Sequence, residues 1–233
     1  RKRRRFRLHV NKTIHWPAPA QCPKCGGPKF HKHSAKSKTV LDVKFGPSSI
    51  KRWVTDYLFY QYRCTDCGIT FHNSERAWRK EKFGLNLQAL SVYENIELGL
   101  PQVRVASFLK QIFGFELHRS AHAINRFKEK AAAFYKETYE GMIKRIVSGH
   151  LVHTDETKVN IRPGVGYVWA FTNLEEVVYV YAPSREGELV RSLLKDFKGV
   201  LVSDFYTAYD SLDCPQQKCL IHLIRDLNDD LLK

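Results

Sequence analysis

The chain has 233 residues, of which 43% are hydrophobic; 38 Lys and Arg stand against 24 Asp and Glu, for a formal net charge of +14. That length suits two or three modules, and the apolar content excludes wholesale disorder. So large a positive charge, with 12% aromatic residues, points to nucleic acid as partner, because each phosphate neutralised by Lys or Arg releases condensed counterions.

The start, Arg1-Lys2-Arg3-Arg4-Arg5-Phe6-Arg7, is basic like the opening of a signal peptide, but no apolar segment follows it. Residues 1–20 are therefore read as an arm, with Arg3, Arg4 and Arg5 set to contact DNA phosphates. No apolar run nears the roughly 20 residues that span a bilayer. No membrane role is expected, and the expected location is the cytoplasm, on the nucleoid. The first residue is Arg rather than Met, so the chain is read as a piece of a longer protein.

Residues 21–80 hold four of the six cysteines and a strand-like aromatic run, Trp53-Val54-Thr55-Asp56-Tyr57-Leu58-Phe59-Tyr60. Cys22-Pro23-Lys24-Cys25-Gly26 and Cys64-Thr65-Asp66-Cys67-Gly68 repeat one device. A two-residue gap turns both thiolates of a knuckle toward one ion, and the trailing glycine permits the tight turn. Four sulfurs complete a tetrahedron and leave no open position, so Cys22, Cys25, Cys64 and Cys67 are expected to hold a structural Zn²⁺ rather than to form disulfides. The long stretch between the knuckles implies an inserted β-hairpin that turns at Gly46-Pro47-Ser48-Ser49. His31, His33 and His72 are spare candidates, read as ordinary surface histidines.

From 85 to 147 the pattern is helical. Leu87, Leu90, Val92 and Ile96 suit one face of a first helix, which Gly99-Leu100-Pro101 breaks. Val103, Ala106, Leu109 and Ile112 suit a second, ended by Gly114, and Ile124, Phe127 and Ala131 a third. The three helices fit a helix-turn-helix module in preference to a plain bundle. The third helix would then present His122, Asn125, Arg126, Lys128 and Lys130 to phosphates and base edges.

Past residue 147 the texture changes again. Leu151–Ile161, Tyr167–Phe171 and Val177–Tyr181 read as three hairpin-joined strands, and Glu186–Phe197 as a helix. A buried strand over 199–203, another over 218–221 and a helix from His222 complete this region. Asp155 lies mid-strand, and Asp204 closes the apolar run Val200-Leu201-Val202-Ser203. Carboxylates there are costly unless compensated, and a divalent cation shared between adjacent strands would do so. A strand-end aspartate serves as readily to cap a helix, so position alone leaves both roles open for Asp204.

His153-Thr154-Asp155-Glu156-Thr157, then Gly166-Tyr167-Val168-Trp169, then Ser203-Asp204-Phe205-Tyr206-Thr207-Ala208-Tyr209, then Cys219-Leu220-Ile221-His222 occur in the order seen in DDE transposases. The chain most resembles those of the insertion-sequence-66 type, over residues 22–233. That resemblance implies an α+β multidomain protein: a β-rich zinc ribbon, a helical helix-turn-helix segment, and a partial ribonuclease-H-like α/β catalytic domain over 148–233. It implies metal-dependent strand cleavage and transfer at the ends of a mobile element. Asp155 and Asp204 would be the first two ligands of Mg²⁺ or Mn²⁺, and Cys219 with His222 a structural pair. The implied partners are double-stranded DNA, both element ends and target, and further copies of the chain assembled on it. The family's third acid is a Glu on a later helix, whereas no Glu follows Asp204 here and the late neighbours Asp229 and Asp230 sit early in their helix. The chain is thus expected to stop short of that ligand and to be inactive alone. The competing reading is a non-catalytic DNA-binding protein or domesticated remnant with the same ribbon and helices.

Overall fold

The computed structural model of the chain describes residues 9–73, 81–117, 120–162 and 164–232. Arg3, Arg4 and Arg5, named above as phosphate contacts, lie outside those residues. Two compact units form, Arg1–Ala133 and Phe134–Lys233.

In the first unit β1 (Lys12–His15), β2 (Phe30–Gly46), β3 (Ser49–Cys64) and β4 (Thr70–Phe71) make one sheet. β2 and β3 are the inserted hairpin, antiparallel from Phe30↔Cys64 to Gly46↔Ser49. Two residues, Pro47 and Ser48, therefore make the turn. β1 runs parallel to β3, and β4 closes on the end of β3 that bears Cys64. Strand alternation puts Leu41, Val43 and Val54 on one face, where they join Phe83, Leu87, Val105, Leu109, Phe113, Ile124 and Phe127 in a single core.

The core's helices are α1 (Leu85–Ile96), α2 (Gln102–Phe113) and α3 (Ser120–Phe134). Gly84 precedes α1 without a side-chain cap. The missing acceptor comes from the sheet: Asp42 Oδ1 accepts the Leu87 N–H at 2.7 Å and the Val43 N–H at 2.9 Å. A Cβ at Gly84 would collide with the Asp42 carboxylate, so the glycine is what lets strand and helix meet. α2 ends on Gly114 at φ 71°, a left-handed position that glycine takes without strain.

The stripe expected on α2 is corrected. Val105, Leu109 and Phe113 are buried, whereas Val103 and Ile112 are 69% and 62% exposed. The helix has apolar residues on more than one face, so periodicity alone does not choose between them. Ile96 likewise lies on the exposed side of α1. That helix buries Gln88, Ser91 and Glu94 beside Leu87.

The helical stretch read over 85–147 divides. α4 (Lys136–Val147) falls in the second unit, where it packs through Ile146. The Tyr139 hydroxyl donates to the Tyr179 carbonyl at 2.8 Å, and Arg145 pairs with Glu176.

The second unit is built on β5 (Leu151–Ile161), β6 (Gly164–Thr172), β7 (Val177–Ala182), β8 (Val200–Ser203) and β9 (Gln216–Lys218), in the order β7-β6-β5-β8-β9. The first three form an antiparallel meander; β8 lies parallel to the other edge of β5, and β9 parallel to β8. One face carries Val152, Trp169, Phe171, Val178 and Leu201 into a core with Val190, Leu194, Phe197 and Tyr209.

Two boundaries here differ from expectation. The helix between β7 and β8, α5, is only Glu188–Leu193. Leu194 and Phe197 turn inward, and the Phe197 N–H bonds back to the Leu194 carbonyl. The last strand is β9 rather than 218–221, and α6 starts at Leu220. The Cys219 N–H gives the final ladder bond, 2.7 Å to the Ser203 carbonyl, before the chain turns into α6. Among the described residues no helix is long and apolar enough to cross a membrane.

Candidate metal centres

In the first unit the two knuckles meet beneath the hairpin's open end. The Gly26 N–H bonds to the Cys22 carbonyl at 2.9 Å and the Cys22 N–H to the Gly27 carbonyl at 3.0 Å. Gly26 and Gly68 both take positive φ, 71° and 69°. The four sulfurs lie within 4.8 Å of one another, with Cys22–Cys67 at 3.7 Å and Cys25–Cys64 at 3.5 Å. Disulfides need ~2.05 Å, whereas a tetrahedral Zn²⁺ with bonds of ~2.3 Å sets its sulfurs ~3.8 Å apart. The donor set fits zinc, and with four sulfurs it leaves no position for substrate. Phe30, Tyr62 and Phe71 pack against it and shield one side.

The thiols repel one another as anions. Burial raises Cys22, but hydrogen bonds from the Cys25 and Lys24 backbone N–H groups and from the Cys25 and Cys67 thiols together outweigh that and bring it down to about 7. The Gly27 N–H favours the Cys25 thiolate, yet the Cys64 and Cys67 sulfurs oppose a second negative charge and push it up to about 12. A divalent cation removes that conflict. Among the described residues the cysteines form this group without His31, His33 or His72.

On α3 the residues named for DNA are not equivalent. His122, Asn125 and Arg126 are exposed. Asn125 accepts a hydrogen bond from Gln102 of α2 at 2.5 Å. Lys128 is half-buried, and Lys130 is half-buried and ion-paired with Glu81.

The second centre lies where β5 outruns β8. Their ladder ends at His153↔Val202, and two further steps set Asp155 abreast of Asp204. Asp155 is exposed and Asp204 half-buried. Asp204 Oδ1 accepts the Tyr206 N–H at 2.9 Å, so it caps the turn leading to the 3₁₀ segment Thr207–Tyr209 while leaving its other oxygen available. Cap and cation ligand are compatible roles here.

A third carboxylate joins them. Oxygens of Asp155, Glu156 and Asp204 lie within 4.8 Å of one another. Glu156 was no candidate on sequence grounds, since alternation sends it to the opposite face of the strand from Asp155. The faces are no longer separated where β8 has stopped, and the oxygens converge past its end. The one available signal was the pairing of two acids, Asp155-Glu156, at that point. The group does not include Asp229 or Asp230 of α6.

Glu156 is enclosed, its side chain only 2% exposed. Oε1 takes Arg185 Nε at 2.7 Å and Nη2 at 2.5 Å, and Oε2 takes the Tyr209 hydroxyl at 2.9 Å. The hydrogen bond to Glu156 holds Arg185 above its already high range. Burial, then Glu156, raises the Tyr209 phenol. The oxygen donors suit a hard cation such as Mg²⁺ or Mn²⁺, which keeps several waters and needs few protein ligands.

A family model described as the transposase IS66 family matches residues 80–231. No curated protein matches the chain. Among solved structures it is similar to a chain of the simian T-cell lymphotropic virus intasome in complex with PP2A regulatory subunit B56 gamma. Identity is 11% and the TM-score 0.25, over 36% of this chain and 39% of that one.

Proposed function

This chain belongs to the transposase IS66 family, and we propose that it acts on DNA through a divalent-metal centre on Asp155 and Asp204, cleaving and joining strands at the ends of a mobile element. One observation carries the reading: a carboxylate in the middle of β5 and another just past the end of the adjacent parallel strand β8, within reach of a common ion, inside the stretch that the family model matches. The five-stranded mixed sheet supports a ribonuclease-H-like reading of the second unit.

Mg²⁺ or Mn²⁺ bound there supplies activation of an attacking hydroxyl and stabilisation of the leaving oxygen. The chain's own part is placement. Asp155 is fixed by the β5 ladder, and Asp204 by its bond to Tyr206. The four-cysteine ribbon holds the hairpin ends as a structural Zn²⁺ site. The exposed residues His122, Asn125 and Arg126 of α3, with Lys128, are taken as the DNA-facing set of a helix-turn-helix, and Arg3, Arg4 and Arg5 as phosphate contacts. Joining two element ends requires holding both, so assembly into a homo-oligomer on DNA is part of the reading.

Residues 205–233 contain no Glu, so the test is metal affinity, for which two carboxylates suffice. Titration of the zinc-loaded chain with Mn²⁺, followed by electron paramagnetic resonance, is expected to show a site that weakens at least ~10-fold in Asp155→Ala and in Asp204→Ala. Equal Mn²⁺ binding in all three proteins would sink the metal assignment.

A further inference from the structure

We infer that Glu156 is a positioning residue rather than a third metal ligand: with Arg185 and Tyr209 it clamps the 204–209 turn, and so fixes where Asp204 stands relative to Asp155. The inference rests on the metal reading above and deepens it.

Both oxygens of Glu156 are already engaged, one by a guanidinium and one by a phenol. To ligate a cation as well, the carboxylate would have to share itself between two positive groups a few ångströms apart, in a place almost closed to water. Ion-pairing with Arg185 instead cancels one of three negative charges. The two that remain, Asp155 and Asp204, match a single divalent ion.

The clamp closes on Asp204 by two routes. Through Arg185 it reaches Tyr206: the guanidinium lies 4.3 Å over the Tyr206 ring, and the Tyr206 hydroxyl donates to the Arg185 carbonyl at 2.7 Å. Tyr206 in turn gives its N–H to Asp204. Through Tyr209 it reaches the far end of the same turn. Tyr209 is fully buried, edge-on to Trp169 at 6.2 Å and to Tyr206 at 6.0 Å. Glu156 follows Asp155 directly on β5, so the residue that locates one ligand is bonded in sequence to the other.

The two roles differ in what they predict. A ligand loses metal affinity when its charge is removed, whereas a clamp tolerates an amide, whose oxygen still accepts from Arg185 and whose NH₂ donates to the Tyr209 oxygen with that bond reversed. The full zinc-loaded chain serves for the test, as Glu156→Gln, Glu156→Ala, Arg185→Ala and Asp155→Asn. Amide hydrogen exchange at Tyr206 and Tyr209 is expected to speed up ~10-fold or more in Glu156→Ala and in Arg185→Ala, and to stay within ~3-fold of wild type in Glu156→Gln. Arg185→Ala keeps the exchange arm decisive should Glu156→Ala not fold. Mn²⁺ affinity is expected to hold within ~3-fold in Glu156→Gln and to drop at least ~10-fold in Asp155→Asn. Unaltered exchange in Glu156→Ala and Arg185→Ala overturns the clamp. So does a Mn²⁺ loss in Glu156→Gln as steep as in Asp155→Asn, which makes Glu156 a ligand. If Asp155→Asn leaves Mn²⁺ binding unchanged, the metal reading fails by itself, and the exchange measurement still decides the clamp.

Discussion

The Tyr209 hydroxyl donates to Glu156 Oε2 at 2.9 Å across 53 positions of sequence, joining the middle of β5 to the turn that follows Asp204. Both side chains are withdrawn from water, so water cannot replace the bond if either is removed. Tyr209→Phe keeps the ring's packing on Trp169 and leaves Oε2 with one acceptor site unfilled. We expect it to destabilise the second unit by ~1–3 kcal/mol, the usual cost of an orphaned buried polar group. Urea unfolding followed by Trp169 fluorescence, in a background where Trp16, Trp53 and Trp78 are replaced by Phe, measures this; a variant as stable as wild type shows that the bond carries no net stability.

The ribbon is expected to retain about one equivalent of Zn²⁺ per chain, and Cys64→Ser to lose it. Because Cys22 is brought down to about 7 while Cys25 is pushed up to about 12, binding must expel at least the Cys25 proton. Zinc affinity should fall as pH drops through 7, and calorimetry in buffers of different ionisation enthalpy should register proton release. Binding with no proton release means the thiols are not the ligands.

Duplex DNA binding is expected to weaken steeply with salt, through counterion release. On α3 the effects should be graded. Arg126→Ala should lower affinity across sequences and reduce the salt slope by ~1. Lys130→Ala should do less, because Glu81 already neutralises that charge. Fluorescence anisotropy at several salt concentrations separates them; equal losses would mean Lys130 leaves Glu81 for phosphate.

What was legible in the residues follows from the range of the interactions. Duplicate Cys-x-x-Cys-Gly knuckles and a Gly-Pro-Ser-Ser turn are local devices, and they announce the ribbon and its hairpin directly. Asp155 and Asp204 stood out because a carboxylate beside an apolar strand is anomalous wherever the strand pairs. Glu156 did not, because its role depends on β8 ending at Ser203 and on Arg185 and Tyr209 arriving from elsewhere in the chain. The buried side of α2 is hidden for a related reason: Val103 and Val105 are equally apolar, and only packing distinguishes them. Asp42 illustrates the same limit, since a strand residue capping a helix leaves no trace in either element's own pattern.

Glu94 presents the last case. It sits on the buried side of α1, 5% exposed, and its Oε2 has no hydrogen-bond partner. Burial pushes its carboxyl up to about 7 from an ordinary 4.5. The folded state therefore binds this proton more tightly than the unfolded chain does. Below pH 4.5 both states are protonated and Glu94 costs nothing. Between 4.5 and 7 the unfolded chain ionises while the folded one does not, so stability falls as pH rises; above 7 the loss is complete. The full loss is bounded at about 3 kcal/mol by the size of the shift. Glu94→Gln removes the charge and keeps the shape. It should match wild type near pH 4 and exceed it by ~1–3 kcal/mol at pH 8. Guanidinium unfolding of both proteins at the two pH values tests this. A difference independent of pH would mean that Glu94 titrates alike in the folded and unfolded chains, and that burial does not hold its proton.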